Sequence, residues 1–236
     1  TTYLPLTTYS RSMHLSYGNV DLTNIDALAS LTSVGGDLDI STNSALTNLY
    51  ELASLSSVGG QIQIQSNDVL ESFSLDSLTD IGGDLSISGN ASLTSFALDS
   101  LTGIGGEISI SSNVAMTSFS FDALPTVGGR LSISYNEALT SFSIDSLADI
   151  GENLYISNNA ALTSFSLDSL TNVGGRLDIA ANDALTSVSL ASLTDVGGQL
   201  AITGNASLCL SLVDAILDAL AALGLYGASS FNDDSC

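Results

Sequence analysis

The chain has 236 residues, 44% of them apolar, so it is long and apolar enough to fold around a core. It carries 25 acidic residues against three arginines and no lysine, and its net charge is −22 at pH 7. Such a surface repels phosphate groups, which argues against nucleic acids and anionic membranes as partners, and no uninterrupted apolar run reaches the ~20 residues that span a bilayer.

Residues 1–18 form an extended, β-rich N-terminal arm in which Pro5 fixes a kink. We expect this arm to cap the edge of the first repeat. The alternative is a donor strand that joins the exposed sheet edge of a neighbouring molecule. The single histidine, His14, lies in the arm, and the spacing of the sequence suggests no partner for it in a catalytic relay or a metal site.

Residues 19–208 carry a repeat whose phase is marked by a Val or Ile followed by Gly. After one spacing of 24 residues, every further step is 23 residues. The marker residues are Val34, Val58, Ile81, Ile104, Val127, Ile150, Val173 and Val196. A fixed period of this length is typical of solenoids, in which one coil buries its apolar face only against the next coil.

Each coil follows the pattern I-G-G-x-L-x-I-S-x-N-x-A-L-T-S-F-S-L-D-S-L-T-x, in which two stretches alternate between apolar and polar residues. This alternation predicts two short strands per coil, with equivalent residues stacked ~4.8 Å apart. One isoleucine column and one phenylalanine column are therefore predicted to form the core. The expected fold is an all-β solenoid, a right-handed parallel β-helix with about 23 residues per coil and a C-terminal capping α-helix.

Glycine and asparagine columns mark two turns of every coil. The first Gly of each pair is invariant along the chain, whereas Glu152 replaces the second in one coil, so only the first is expected to be required. Stacked asparagine amides can satisfy buried backbone groups and one another. We expect this column to be structural and buried, which argues against glycosylation at the sequons of Asn90 and Asn205.

Residues 209–236 break the repeat and are predicted to form a helical C-terminal cap. Ser211 to Asp214 resemble a capping box, apolar residues follow at helical spacing, and Gly224 fits a helix stop. The two cysteines, Cys209 and Cys236, are expected to close this tail as a disulfide worth roughly 3 kcal/mol. A disulfide implies an oxidising compartment, and Thr1 is interpreted as the start of a processed chain, so we expect a secreted, extracellular protein.

The motif LxIxxNxxLxxF with a following LxxIGG resembles the leucine-rich, receptor L-domain-like repeats of extracellular and bacterial cell-surface proteins. The tail NASLCLSLVDAILDAL is similar to the cysteine-closed end of bacterial members. The resemblance covers roughly residues 19–236 and implies an L-domain-like or leucine-rich-repeat fold, but it implies little about function because such proteins share a scaffold and not a chemistry. The strict period, the scarcity of basic residues and the lack of other cysteines depart from receptor L domains.

An aspartate column is the first candidate site. Its members are Asp76, Asp99, Asp122, Asp145 and Asp168. Carboxylates stacked ~4.8 Å apart repel by roughly 1 kcal/mol per neighbour even in water, so a stabilising interaction must offset this repulsion. One interpretation is that each Asp caps a turn by accepting backbone N–H bonds. The other is a row of weak Ca²⁺ sites, although no known calcium-loop motif is present.

Two further surfaces depend on residues that face outward. The first is a possible partner patch that breaks the repeat symmetry, made of Glu107, Arg130, Asn153, Tyr155, Arg176 and Asp178. Arg and Tyr are common in binding hot spots, but a solvated Arg–Glu ladder is the alternative. The second is a flat face for assembly or ice binding, made of Ser95, Ser118, Ser120, Ser141, Ser143, Ser164, Ser166, Thr117, Thr140 and Thr163.

Because titratable residues recur from coil to coil as scaffold, the sequence favours a non-catalytic protein without a required cofactor. The leading hypothesis is an extracellular structural or adhesive repeat protein that self-assembles into a filament or surface layer, or binds a cell-surface partner. The alternative is an ice-binding solenoid, for which serine is a poorer choice than threonine because it lacks the methyl group.

Overall fold

The computed structural model describes residues 6–16, 19, 21–221, 227–230 and 232. They form a parallel β-solenoid of about eight coils, with about 23 residues per turn and one C-terminal helix, which confirms the predicted fold class. Each coil contributes a long strand, a shorter strand rich in serine, and a two-residue strand that precedes the Gly-Gly turn.

The long strands form one sheet of ten strands, which we call the long-strand sheet. Neighbouring strands run parallel, and equivalent residues pair, as in Ile87 with Ile110 and Ile133. The strands are Met13–Leu15, Leu38–Ser41, Ile62–Gln65, Leu85–Ser88, Ile108–Ser111, Leu131–Ser134, Leu154–Ser157, Leu177–Ala180, Leu200–Thr203 and Gly227–Ser230.

The two-residue strands stack as one sheet of five strands followed by one of four. They are Thr8–Tyr9, Ser33–Val34, Ser57–Val58, Asp80–Ile81, Gly103–Ile104, Thr126–Val127, Asp149–Ile150, Asn172–Val173 and Asp195–Val196. The serine-rich strands form a sheet of three and a sheet of two, and an isolated bridge between Ser120 and Ser143 extends the sheet of three by one coil. They are Ser72–Ser74, Ser95–Ala97, Ser118–Ser120, Ser164–Ser166 and Ser187–Ser189.

The first coils differ from this plan because two 3₁₀ helices, Asp26–Leu28 and Tyr50–Ser54, stand close to the position of the serine-rich strand. The N-terminal arm pairs within its own molecule. Thr8–Tyr9 lies beside Ser33–Val34, and Met13–Leu15 lies beside Leu38–Ile40. The described part of the arm is therefore an incomplete first coil that covers the sheet edge, as in the capping interpretation.

The C-terminal tail contains the predicted helix, Leu210–Ala221, in which Val213 is buried and Leu212, Ile216 and Leu217 pack against the core. The tail also contains a strand that the sequence analysis missed. Gly227–Ser230 pairs in parallel with Leu200–Thr203 and adds a tenth strand to the long-strand sheet. Cys236 lies outside the described residues, so the disulfide to Cys209 stays a prediction.

The core consists of the predicted apolar columns. The isoleucine column is fully buried from Ile40 to Ile202. The phenylalanine rings stack from coil to coil, with ring centroids 5.3 Å apart between Phe73 and Phe96 and between Phe96 and Phe119. Phe121 contacts two of these rings edge-on. Stacked rings at one strand spacing bury a large apolar area and fix the register of successive coils.

The asparagine column is buried, as predicted, and forms a ladder along the solenoid. From Asn67 to Asn205, each amide group donates from Nδ2 to a main-chain oxygen of the preceding coil and accepts at Oδ1 from the preceding asparagine. For example, Asn136 donates to Ile110 O at 3.0 Å, and its Oδ1 accepts the backbone N–H of Asn113 at 3.1 Å. Asn232, which the sequence analysis did not include, extends the ladder beyond Asn205.

Candidate functional surfaces

The flat face predicted from the sequence is formed by the serine-rich strands, and we call it the serine face. Ser95 and Ser118 lie directly opposite each other in neighbouring strands, as do Ser164 and Ser187. A shallow groove of about 560 Å³ runs over this face from Ser72 to Ser143, with Tyr50 at one end. The buried phenylalanine column forms the floor of this groove.

A threonine row borders the serine face, and its hydroxyl groups are held in fixed positions. The hydroxyls of Thr94, Thr117, Thr140 and Thr186 donate to a main-chain oxygen of the preceding coil, as Thr117 Oγ1 does to Thr94 O at 3.2 Å and Thr140 Oγ1 to Thr117 O at 3.1 Å. The row contains Thr94, Thr117, Thr140, Thr163 and Thr186. These side chains are exposed, so the row presents hydroxyl oxygens and methyl groups at the spacing of the coils.

The aspartate column lies on the other border of the serine face and is exposed. Its hydrogen-bond donors are mostly serine hydroxyls. Ser143 Oγ donates to Asp122 Oδ1 at 2.6 Å, and Ser74 Oγ donates to Asp76. The described hydrogen bonds include one from a backbone N–H to this column, from Ala191 to Asp168 at 3.2 Å, and it comes from the next coil and not from the turn that the Asp was predicted to cap.

Asp168 has the most complete set of donors in this column. Hydrogen bonds from the hydroxyl of Ser189, the hydroxyl of Ser166 and the backbone N–H of Ala191 lower the pKa of its carboxyl group below the ordinary 3.8. Among the described residues, no group of three or more His, Cys, Asp or Glu side chains is placed to hold a metal ion. The Ca²⁺ interpretation of this column therefore stays an untested prediction.

The partner patch predicted from the sequence contains two ion pairs. Arg130 Nη2 lies 3.0 Å from a carboxylate oxygen of Glu107, and Arg176 Nη2 lies 2.7 Å from one of Asp178. Tyr155 is half-buried on the strand between them and pairs in register with Ser132 and Asp178. One Arg–Glu pair between neighbouring coils, as in the alternative interpretation, is thus present, whereas Arg176 pairs with Asp178 of its own coil. Whether the patch binds a partner stays a prediction.

Some polar atoms of this patch are buried without a hydrogen-bond partner. They are Nε of Arg130, Nε of Arg176 and Oδ1 of Asp178. A buried donor or acceptor without a partner costs roughly 1–3 kcal/mol of stability. Asn153, the remaining residue of the patch, stabilises the fold, because its Oδ1 accepts the backbone N–H of Arg176 in the next coil at 2.7 Å.

The patch belongs to a larger surface, the outward side of the long-strand sheet, which we call the long-strand face. Its outward positions from the second strand to the ninth are Asp39, Ser41, Gln63, Gln65, Ser86, Ser88, Ser109, Ser111, Ser132, Ser134, Tyr155, Ser157, Asp178, Ala180 and Thr203. Ala201, at the equivalent position of the ninth strand, is buried. The column that leads into these strands is Asp37, Gln61, Asp84, Glu107, Arg130, Asn153, Arg176 and Gln199.

Every carboxylate of the long-strand face and its leading column has a partner. Besides the two arginine pairs, Asp39 lies 3.6 Å from His14 Nδ1. Asp37 accepts the backbone N–H of Gln61 at 3.0 Å, and Asp84 accepts that of Glu107 at 2.8 Å. The pairing of His14 with Asp39 was not predicted from the sequence, because its spacing of 25 residues departs from the period of 23, and the register of Met13–Leu15 against Leu38–Ile40 reveals it.

Comparison with protein-family models, with curated proteins and with solved structures finds no match for this chain. The likeness to L-domain repeats therefore stands on the sequence motif alone. In the part of the chain that the structure describes, no helix has the length and apolar character needed to cross a membrane.

Proposed function

We propose that this chain is a non-catalytic, extracellular structural or adhesive protein that assembles with copies of itself into a filament or surface layer. Binding to a separate surface partner is a second form of the same role. The predicted Cys209–Cys236 disulfide and the likeness to cell-surface repeats support the extracellular location.

The observation that carries the proposal is the register between coils. Equivalent side chains lie opposite one another along the long-strand sheet, from Leu38 paired with Ile62 to Leu177 paired with Leu200. Chemically similar groups thus repeat at a fixed spacing on flat faces. A periodic face of this kind suits a partner that is itself periodic, such as another solenoid.

Electron microscopy of the purified chain, combined with sedimentation velocity over a range of concentrations in seawater-like salt, tests the proposal. We expect particles that lengthen or associate as the protein concentration rises, because salt screens the charge of −22. Dispersed short monomers at every concentration and salt level would contradict self-assembly.

Ice binding is the second candidate function, and the threonine row favours it. The hydroxyls of Thr117 and Thr140 are oriented by their bonds to main-chain oxygens, so the row is an ordered array of exposed oxygens and methyl groups. Thermal hysteresis at micromolar protein tests this function. The variant Thr140→Leu should abolish the effect, while Thr171→Leu, whose hydroxyl makes the same kind of bond in another column, should retain it.

A further inference from the structure

The groove on the serine face, which we call the serine groove, is long, narrow and open. It crosses four successive coils, from Ser72 to Ser143, with a volume of about 560 Å³. Its floor is the phenylalanine column, and its walls are mainly serine side chains. Because neighbouring coils are ~4.8 Å apart, four coils make the groove roughly 19 Å long. This shape suits a ligand that is itself extended and narrow.

One rim of the serine groove carries the carboxylates of the aspartate column. Asp76 accepts a hydrogen bond from Ser74, and Asp122 accepts one from Ser143 at 2.6 Å, and both serines line the groove. Hydroxyl donors orient these carboxylates but leave them charged. Both aspartates are exposed, and the ion pairs among the described residues include no member of this column. The rim therefore presents uncompensated negative charge beside the groove.

We propose that the serine groove binds an extended, basic segment of a partner protein in the polyproline II conformation. Basic side chains complement the charge of the rim, and the net charge of −22 attracts such a segment from a distance. This inference rests on the partner-binding form of the proposed function, and it names the surface and the class of partner.

The polyproline II helix matches the spacing of the coils. It has three residues per turn and rises ~3.1 Å per residue, so every third side chain recurs at ~9.3 Å on the same side. Asp76 and Asp122 lie two coils apart, which corresponds to ~9.6 Å along the solenoid. Basic residues at every third position would thus each face a carboxylate. Side chains on one side of a β-strand recur at ~6.6 Å and do not match this spacing.

The walls and the floor complement the rest of such a segment. A polyproline II backbone makes no internal hydrogen bonds, so its carbonyl groups can accept from wall serines such as Ser95 and Ser118. Proline rings and the aliphatic stems of lysines can pack on the phenylalanine floor. Tyr50 stands at one end of the groove and is 62% exposed. Aromatic side chains are the common contacts of proline-rich segments, and they also attract cations.

Isothermal titration calorimetry of the full chain with a peptide of four Pro-Pro-Lys repeats tests the inference, in about 0.15 M NaCl. The rim variant is Asp76→Asn/Asp122→Asn. Its matched control is Asp149→Asn/Asp195→Asn, which removes two exposed carboxylates that also lie two coils apart, on another side of the solenoid. Both variants have the same net charge, and far-UV circular dichroism with a thermal melt checks their folding. We expect the rim variant to raise the Kd roughly tenfold or more, and the control less than threefold.

Two further comparisons test the shape of the site. A peptide of the same composition with its four lysines in one block should bind at least fivefold more weakly than the regular repeat. Ser120→Trp fills the groove and should abolish binding, whereas Ser109→Trp, on the long-strand face of the same coil, should retain it. This second pair of variants decides the question if the rim variant fails to fold.

The outcomes separate this inference from self-assembly. Equal weakening by the rim variant and its control would overturn the inference, because attraction to the overall charge would then explain the binding. Equal affinity for the two peptides would overturn the polyproline II match, and binding of a chitosan oligosaccharide but not of the peptide would overturn the choice of a polypeptide. A chain that binds the peptide but stays monomeric in sedimentation supports this inference while self-assembly fails. A chain that assembles but does not bind the peptide overturns this inference alone.

Discussion

At the scale of single residues, the first glycine of each Gly-Gly turn is fixed by backbone packing. A Cβ atom added at Gly128 would lie 2.4 Å from the carbonyl oxygen of Gly105 in the preceding coil. At Gly129, the nearest atoms would lie at 3.0 Å, and Glu152 occupies the same position in the next coil. The sequence predicted this difference because Glu152 replaces the second glycine in one coil, whereas the first glycine is present in every coil.

We therefore expect Gly128→Ala to destabilise the protein by about 2–3 kcal/mol and Gly129→Ala by less than about 1 kcal/mol, since overpacking against rigid backbone forces neighbouring coils apart. For a chain of this size, the first change corresponds to a fall in melting temperature of roughly 4–12 °C. Thermal denaturation of both variants measures the difference. Equal melting temperatures would show that the coils shift easily to accept a methyl group.

Asp168 is the carboxyl group whose pKa is lowered, and its hydrogen bonds predict a local pH dependence. Because the folded pKa lies below the ordinary value of 3.8, this group stabilises the fold above that value, and its contribution is lost as the pH falls below it. NMR titration of the Asp168 carboxyl should give a midpoint below 3.8. Removing the hydroxyl in Ser189→Ala should move the midpoint upward, whereas Ser132→Ala, on the other face, should leave it unchanged.

At the scale of the structural elements, the asparagine ladder links the coils by hydrogen bonds that no water can replace, because all its members from Asn43 to Asn205 are fully buried. Asn136→Ala would leave the backbone N–H of Asn113 without its partner and remove one hydrogen bond to the carbonyl of Ile110. At roughly 1–3 kcal/mol for the buried unsatisfied group and about 1 kcal/mol for the lost hydrogen bond, the expected loss in free energy of unfolding is about 2–4 kcal/mol.

Chemical denaturation of Asn136→Ala measures this loss, and Asn172→Ala is the matched control. Asn172 also donates to the neighbouring coil, at 2.7 Å to Asp149 Oδ1, but this bond is exposed. Its removal should cost less than about 1 kcal/mol. A similar cost in both variants would mean that the ladder contributes no more than a surface hydrogen bond.

The elements also show where sequence reasoning succeeds and where it stops. The strands, the core columns and the asparagine turn follow from a period of 23 residues, because one repeat constrains every other repeat. The strand Gly227–Ser230 was not predicted because its residues do not alternate between apolar and polar, and because the helix Leu210–Ala221 separates it from the last repeat. The pairing of His14 with Asp39 escaped because the first coil has an irregular spacing to the second, which only the strand register reveals.

At the scale of the whole molecule, charge is distributed unevenly. The long-strand face and its leading column hold five of the 25 acidic residues, namely Asp37, Asp39, Asp84, Glu107 and Asp178, together with two of the three arginines. The rest of the chain contains the other 20 acidic residues (25 − 5) and one arginine, Arg11. Repulsion among them opposes folding, and no alignment of repeats indicates its size, since it depends on distances across the whole surface.

We expect the melting temperature to rise as NaCl increases from 0.01 M to 1 M, because the screening length falls from about 30 Å to about 3 Å over this range. The same experiment with CaCl₂ at matched ionic strength decides between the two interpretations of the aspartate column. If serine hydroxyls alone stabilise these carboxylates, as for Asp122 and Asp168, the two salts should have similar effects. A saturable rise at low millimolar CaCl₂ that NaCl does not reproduce, and that is lost in Asp122→Asn, would instead establish the column as a row of weak calcium sites.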